Sequence, residues 1–507
     1  MLSRVAGFVR MRVFAYYFGL RSESADAFNA SFRIPNFLQM LFGEGALSAS
    51  FIPVYASLVS RGRGAEADRV AGAIGALMAA IVSAIVLVGV LAAPWMVAII
   101  APGFSGEKRE LTIQLTRILF PGAGLLVVAA WCLGVLNSHH KFLLSYAAPV
   151  VWNAAMIGTL VAFGGRSTQP RLAMLLAWGS VLGSLLQVAA QLPAVLRVAP
   201  DLRFTFDLAS EHVRTVGRNF VPVLITRGVV QLSGYIDALL ASLLPTGAVT
   251  GISNAATLYT LPVSLFGMSV AASELPAMSG AAAPDAAALD AVRVRLDAGL
   301  RRIAFFVVPS AVAFLALGDI VAGAVLQTGR FTRSDAVYVW AILAGSSIGL
   351  VASTLGRLYS ATLFALRDTK TPLRFALVRV SLTTVLGYLF AIPLPRLLGI
   401  DAVWGAAGLT ASAGLAGWVE MFLLRRTLRS RVASTGIPAA HLVRLWGAAL
   451  GAAALAWGVR SVLPALHPVV EGALVLAPYG LAYLAATWAL GVPEAATSLT
   501  RLVRRRR

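Results

Sequence analysis

The amino-acid sequence predicts an all-α integral membrane protein with about fourteen transmembrane helices. Of its 507 residues, 58% are hydrophobic and only 13% are charged, whereas soluble domains carry about 25% charged residues. The mean hydropathy over the whole chain is +0.81, so apolar segments must occupy most of its length. Apolar stretches of about 20 residues, enough to cross a bilayer, recur from one end of the chain to the other.

The candidate spans follow one another with short connections. They lie near residues 2–19, 26–58, 71–101, 111–137, 142–164, 172–196, 216–244, 250–277, 301–327, 336–365, 373–395, 400–424, 441–463 and 470–491. The first is short and carries Arg4, Arg10 and Arg12, so hydropathy alone would not identify it. The connections leave no room for a soluble catalytic domain, and any activity is expected within the helical bundle.

The charge balance is strongly basic, with 42 Lys and Arg against 22 Asp and Glu and a net charge of +20. In a soluble protein this would suggest a nucleic-acid partner. Here the basic residues concentrate in every second connection between spans, which is the pattern of the positive-inside rule. The sequence therefore predicts a multi-pass protein with both termini in the cytoplasm and no nucleic-acid partner. An even number of spans agrees with that orientation.

Cysteine and histidine give no sign of a metal site or a disulfide. Cys132 is the only cysteine, which excludes an intrachain disulfide. His139 and His140 are adjacent in a short connection and have no other ligand nearby in the sequence. A solvated loop is the expected setting for this pair, and no metal is expected.

An internal similarity predicts two related lobes. The second span contains Pro35, Phe42-Gly43 and Ile52-Pro53, and the eighth contains Pro262, Phe266-Gly267 and Leu275-Pro276. Because six spans separate them, both cross the membrane in the same direction, as in transporters with parallel repeats. We expect an N-lobe of six spans over residues 1–200 and a C-lobe of six spans over 201–430. Residues 431–507 would add two extra helices and a basic cytoplasmic tail.

The first two spans hold charged residues at membrane depth. A charge at the bilayer centre costs about 2.5–3.5 kcal/mol on insertion scales, so such groups usually face a cavity. Arg10, Arg33 and Glu44 lie well inside these spans, and Pro35 and Gly43 are expected to bend the second one. Backbone groups freed by a bend must be buried in protein or face water. We therefore predict a wet, cationic cavity in the N-lobe.

Five residues are candidates for binding substrate: Arg4, Arg10, Asp26, Arg33 and Glu44. Two of them have equally good structural interpretations. Arg4 lies near a helix end, where its long side chain could extend to the membrane surface. Asp26 follows Ser24-Ala25 at the start of the second span, where it could cap that helix. In the seventh span, Asp237 is expected to face protein or water rather than lipid.

Seven segments, in order along nearly the whole chain, resemble the MurJ (MviN) family. They are Ser3–Arg10, Ala25–Asn36, Gly43–Val54, Ala101–Phe104, Gln191–Pro193, Gly329–Thr332 and Asp368–Pro372. The resemblance implies fourteen helices in the exporter superfamily that includes MATE and polysaccharide flippases. It also implies a bacterial inner-membrane flippase for lipid II, the undecaprenyl-pyrophosphate-linked peptidoglycan precursor. Such a protein is a transporter rather than an enzyme, lies among membrane lipids, is expected to be a monomer and needs no cofactor.

The resemblance bears on individual residues, with several departures. Arg10, Asp26 and Glu44 match the family's functional positions, but Met11 stands where the family usually has an acidic residue. Gln39 and Thr257 stand where the family has arginines.

Ion coupling is a separate question. Some members resemble sodium-coupled transporters with an acidic residue in the seventh span, and Asp237 matches it. The partner positions, Thr383 and Gly387, are poor sodium ligands. Coupling to Na⁺ or to the membrane potential is left open.

Four alternatives remain beside lipid II transport. The same fold could export another lipid-linked oligosaccharide, or the missing arginines could mark a degenerate, non-transporting paralogue. A MATE-like exporter of small cations is disfavoured, because the N-lobe cavity is net positive. A membrane-embedded glycosyl transferase would need a carboxylate or metal site on an outer loop, and the outer loops are short and lack clustered carboxylates.

Overall fold

The structure is a computed structural model that describes residues 2–207, 209–281, 286–432 and 435–496, and these residues fold into helices without a β-strand. The α-helices are α1 Leu2–Phe18, α2 Glu23–Leu38, α3 Ser48–Ser60, α4 Gly64–Ile100, α5 Gly106–Ser138, α6 Phe142–Phe163, α7 Gln169–Val198, α8 Glu211–Ser242, α9 Ala248–Pro262, α10 Ser269–Ala281, α11 Ala286–Ala316, α12 Gly318–Leu326, α13 Arg333–Ile348, α14 Leu350–Ala365, α15 Lys370–Ala391, α16 Pro393–Leu397, α17 Gly405–Val432, α18 Ala439–Val462 and α19 Pro468–Ala489. A short 3₁₀ helix, Ala402–Trp404, precedes α17.

Ten helical segments in the described part of the chain are long and apolar enough to cross a membrane. Helices α13 and α14 meet at an angle of 42° and together would form an eleventh span. Helix α1, the α2–α3 segment and α8 are not among these segments, and α1 has only 17 residues with three arginines. The all-helical membrane fold is confirmed, and the number of helices is consistent with about fourteen spans.

The interruption predicted in the second span takes the form of a π-helix. Residues Gln39–Leu47 are π-helical and connect α2 to α3, beginning four residues after Pro35. Proline lacks an N–H and its ring clashes with the carbonyl four residues earlier, so it disturbs the turn before it, whereas the π-helical segment follows it. The eighth span has the same feature, because Val263–Met268 is π-helical directly after Pro262. The two interruptions agree with the predicted repeat.

Contacts divide the chain into two compact units. The N-terminal unit contains residues 1–250 and 328–331. Within it, α5 packs against α2, α4 and α7, while α6 packs against α1 and α7. Helix α8 packs on α3, α4 and the π-helical segment of the same unit. The lobe boundary at residue 200 follows from the repeat rather than from contacts and stays a prediction.

The segment 328–331 joins this unit through the end of α1. The backbone N–H of Arg330 donates to the Tyr16 carbonyl oxygen at 3.0 Å. Gly329 has φ +53°, and a Cβ there would lie 2.5 Å from Tyr16 Cδ2. Only glycine fits so close an approach in a left-handed conformation. The family-like segment at 329–332 therefore includes a packing requirement.

The C-terminal unit contains residues 251–327 and 332–507, of which those beyond 496 and the basic tail lie outside the described residues. Its helix α17 packs on α13, α14 and α15. Helices α18 and α19 pack on each other and attach to α11 and α12. Arg460 of α18 binds Asp319 of α12 at 2.6 Å and approaches Glu471 of α19 at 3.7 Å. This ion cluster anchors the two extra helices to the unit.

Candidate functional site

Arg10 lies on an aromatic platform formed by α6. Its guanidinium carbon is 4.7 Å from the centroid of the Trp152 ring, and its Nη1 is 3.3 Å from the Met156 sulfur. The Trp152 Nε1–H donates to the Ser180 carbonyl oxygen at 3.2 Å, which fixes the ring. A guanidinium has five N–H donors, and a ring face uses none of them. The Arg10 fork is thus held in place with donors still available for an anion.

Arg33 of α2 contacts α8. Its Nη1 donates to the Gly234 carbonyl oxygen at 3.4 Å, and the Tyr235 hydroxyl donates to the Arg33 carbonyl oxygen at 3.3 Å. Asp237 lies one turn beyond Gly234 on the same helix face, and its carboxylate interacts electrostatically with Arg33. The half-buried Asp237 side chain is therefore close to a protein cation.

An aromatic contact connects the surroundings of the two arginines. Phe32, next to Arg33 in α2, has its ring centroid 5.9 Å from that of Trp152. Helices α1, α2 and α6 thus meet around the Trp152 ring. The structure places Arg10 and Arg33 in the same unit, one directed to α6 and the other to α8.

Asp26 is a fully buried carboxylate with four hydrogen-bond donors. Its side chain is 1% exposed and binds Lys108 Nζ at 3.0 Å. The backbone N–H groups of Gly247 and Thr250 donate to it at 2.9 Å each, and the Thr250 hydroxyl donates at 2.7 Å. These groups open α9, so the carboxylate caps that helix's N-terminus. Ser22, not Asp26, caps α2 by accepting from the Ala25 N–H.

Lys108, the cation that neutralises Asp26, could not be identified from the sequence. The two residues are 82 positions apart. Lys108 also lies 4.1 Å from the centroid of the Phe104 ring. Phe104 belongs to one of the family-like segments, but nothing in the local sequence identifies the carboxylate that this lysine meets.

The other predicted residues are less informative about a site. Arg4 is exposed in the first turn of α1. The side chains of Glu44 and Arg227 lie outside the described residues. Gln39 begins the π-helical segment, and the Thr257 hydroxyl donates to the Ser253 carbonyl oxygen of its own helix at 2.9 Å. Neither of these two positions supplies a cation.

The expectation of a solvated loop at His139 is wrong. Its Nε2 lies 2.8 Å from the Tyr55 hydroxyl, which also approaches Asp68 Oδ1 at 3.5 Å, and the ring is half-buried. Burial lowers the pKa of His139, partly opposed by the Asp68 carboxylate. Asp68 Oδ2 in turn accepts from the Asp201 N–H at 3.1 Å. These bonds connect α3, α4 and two connecting loops.

The described residues contain no group of three or more His, Cys, Asp or Glu side chains that could hold a metal ion. Thr383 and Gly387, the positions considered for sodium, are buried in α15. The guanidinium groups of Arg10 and Arg33 are of the type that matches phosphate oxygens with paired hydrogen bonds.

Known proteins similar to this chain identify its family. The family model described as lipid II flippase MurJ matches residues 14–476. The lipid II flippase MurJ of Burkholderia cenocepacia is 32% identical over 465 residues, covering 90% of this chain and 87% of that protein. A probable lipid II flippase MurJ of Rhizobium tropici is 28% identical over 458 residues, covering 88% and 80%.

Solved structures show the same fold. A lipid II flippase MurJ in an inward closed conformation superposes with a TM-score of 0.77 at 22% identity, over 96% of this chain and 97% of that one. An inward-facing multidrug transporter of the MATE family gives a TM-score of 0.69 at 16% identity, over 85% and 94%. The match over nearly the whole chain confirms the resemblance drawn from the seven segments, and the chain belongs to the MurJ lipid II flippase family.

Proposed function

We propose that this protein is a lipid II flippase, which moves the undecaprenyl-pyrophosphate-linked peptidoglycan precursor from the inner to the outer leaflet of the cell membrane. The family match over residues 14–476 carries this proposal. Transport rather than catalysis is the activity, and lipid II or a similar lipid-linked pyrophosphate sugar is the substrate. The protein acts in the bacterial inner membrane as a monomer with both termini in the cytoplasm, an orientation that the distribution of basic residues supports.

Arg10 and Arg33 bind the pyrophosphate in this account. Both are cations at membrane depth, where a charge is costly unless it faces protein or water. Trp152 holds Arg10 while leaving its donors available. Arg33 uses one donor on the Gly234 carbonyl oxygen. Asp26, near the start of α2, binds Lys108 of α5 and the N-terminus of α9. It acts as a positioning residue.

Complementation tests the function directly. In cells depleted of their own lipid II flippase, expression of this chain should restore growth and normal cell shape. An inactive Arg10→Ala, Arg33→Ala variant expressed at the same level is the matched control. Failure of the well-expressed wild-type chain to support growth would contradict lipid II transport.

A second candidate function is the export of a different lipid-linked oligosaccharide. A related alternative is a degenerate paralogue that transports nothing. Gln39 and Thr257 favour it, because the family's arginines are absent at both positions and the structure places no cation there. Normal growth in the complementation experiment would exclude both forms of this candidate.

Asp237 is compensated by a protein cation rather than by sodium in this account. Arg33 contacts the same helix one turn away and interacts with the Asp237 carboxylate, so a protein cation supplies the charge that Na⁺ would otherwise provide. Thermal unfolding of the purified protein should give the same midpoint in NaCl as in KCl. A sodium-specific stabilisation that Asp237→Asn abolishes would overturn this assignment.

A further inference from the structure

A second group of charged and hydroxyl side chains lies within the C-terminal unit. The Tyr259 hydroxyl of α9 is 2.6 Å from the Ser353 hydroxyl of α14. Arg379 of α15 donates from Nη1 to Glu420 Oε2 of α17 at 3.2 Å. Arg357 is one turn beyond Ser353 on the same face of α14, and it interacts electrostatically with Tyr259, Arg379 and Glu420. Side-chain contacts therefore join α9 to α14 and α15 to α17, and the electrostatic interactions of Arg357 connect the two pairs.

The group has a surplus of positive charge and unused donors. The group contains two guanidinium groups, those of Arg357 and Arg379, and one carboxylate, that of Glu420. In the part of the chain that the structure describes, Arg357 makes no hydrogen bond or ion pair and its side chain is exposed. The Nε of Arg379 is buried there without a hydrogen-bond partner. Since Glu420 is already engaged by Arg379, one positive charge is left for an anion.

The depth of the group indicates that its open side is wet. Arg357 and Arg379 lie about 12–14 Å along the axes of α14 and α15 from the ends that share the 366–369 connection, at 1.5 Å per residue. Both arginines therefore lie more than two turns inside their helices. An exposed guanidinium at such depth is very costly against lipid and usually faces a water-filled cavity.

We propose that Arg357, Arg379, Tyr259 and Ser353 form a second anion-binding site, selective for a phosphate or pyrophosphate group. The two arginines would bind the phosphate oxygens through paired N–H donors. The bond between the Tyr259 and Ser353 hydroxyls uses one of their two protons, so the pair supplies at most one further donor. The identification of the anion as the headgroup of a transported lipid rests on the proposed function, whereas the site itself does not.

Binding of inorganic pyrophosphate to the purified full-length protein tests the site. It is measured by calorimetry in an Arg10→Ala, Arg33→Ala background, so that only the second site contributes. Arg357→Gln should weaken binding at least about tenfold, since hydrogen bonds to charged groups are strong. Arg357→Lys should weaken it less, because the charge remains but the fork is lost.

Arg374→Gln is the matched control, because Arg374 is an exposed arginine of the same helix α15 outside the group, and it should leave binding unchanged. Since Arg357 makes no hydrogen bond or ion pair with the described residues, its variants should keep the wild-type unfolding midpoint. For Arg379, the paired Arg379→Gln, Glu420→Gln variant avoids an isolated carboxylate. The proposal would be overturned if Arg357→Gln bound pyrophosphate with wild-type affinity, or if the background protein showed no saturable binding. It would also be overturned if Arg357→Gln lowered the unfolding midpoint enough to account for its loss of binding.

A short-chain polyprenyl pyrophosphate, compared with inorganic pyrophosphate, identifies the source of the anion. Tighter binding of the lipid, lost in Arg357→Gln, assigns the site to a lipid headgroup, and equal binding assigns it to a free anion. Complementation by the wild-type chain is scored separately. Binding that depends on Arg357, without complementation, would support the second site and reject the proposed function. Complementation without such binding would support the proposed function and reject the second site.

Discussion

Replacing Arg10 with alanine should abolish flipping while leaving the protein inserted and folded. The guanidinium rests on Trp152 and beside Met156 and makes no salt bridge among the described residues, so its removal leaves no charge unpaired. A hydrogen bond to a charged group contributes about 1.5–3 kcal/mol, and headgroup affinity should fall about ten- to a hundredfold. Gln39 and Thr257 supply no cation, which makes each remaining arginine more important.

Conservative variants refine this prediction. Arg10→Lys should recover only part of the activity, because an ammonium keeps the charge but not the planar fork. Trp152→Leu should also reduce transport, since it removes the ring that holds the fork in place. Arg109→Ala, at an exposed arginine of α5, is the control and should flip normally. The readout is headgroup accessibility in cells that depend on this protein, and normal flipping by well-expressed Arg10→Ala would remove Arg10 from the site.

Asp26→Asn should be strongly destabilising, through a different mechanism. The carboxylate and Lys108 have side chains that are 1% and 10% exposed. Removing one member of a buried ion pair leaves the other charge uncompensated, at about 3–5 kcal/mol. An amide can also accept fewer of the bonds from Gly247 and Thr250. The expected result is a clearly lower unfolding midpoint of the purified protein.

A double-mutant cycle separates the two interpretations of Asp26. Asp26→Asn combined with Lys108→Met should be less destabilising than the sum of the single variants, because no charge is then left unpaired. Glu110→Gln, at an exposed position of α5, should change stability by no more than about 0.5 kcal/mol. If Asp26→Asn were as stable as the wild type but failed to bind the headgroup, Asp26 would be a binding residue, as the sequence suggested.

The membrane fold could be predicted from the sequence because hydropathy is a property of each segment alone. Apolar stretches must form helices to satisfy their backbone groups in lipid. Helices α1 and α8 contain arginines that lower their mean hydropathy, so hydropathy alone identifies them poorly as spans. The interruption near Pro35 was also predictable, whereas its π-helical form depends on packing that only the structure shows.

The site was less accessible from the sequence, because its contacts are distant along the chain. Arg10 could be singled out by its charge at membrane depth, but Trp152 lies on another helix with no local sign of its role. Asp26 meets groups 221 to 224 positions away. His139 was misjudged for the same reason, since Tyr55 lies 84 positions before it. The role of a residue could be predicted where it depends on that side chain alone. It could not be predicted where it depends on a contact with a residue distant in the sequence.

Transfer of lipid II in liposomes that contain only this protein tests the central claim most directly. Labelled lipid II is placed in one leaflet, and the appearance of its headgroup in the other is followed over time. We predict transfer well above that of protein-free vesicles for the wild type, and transfer at the protein-free level for the folded Arg10→Ala, Arg33→Ala variant. No transfer by the folded wild-type protein, or undiminished transfer by the double variant, would contradict the account.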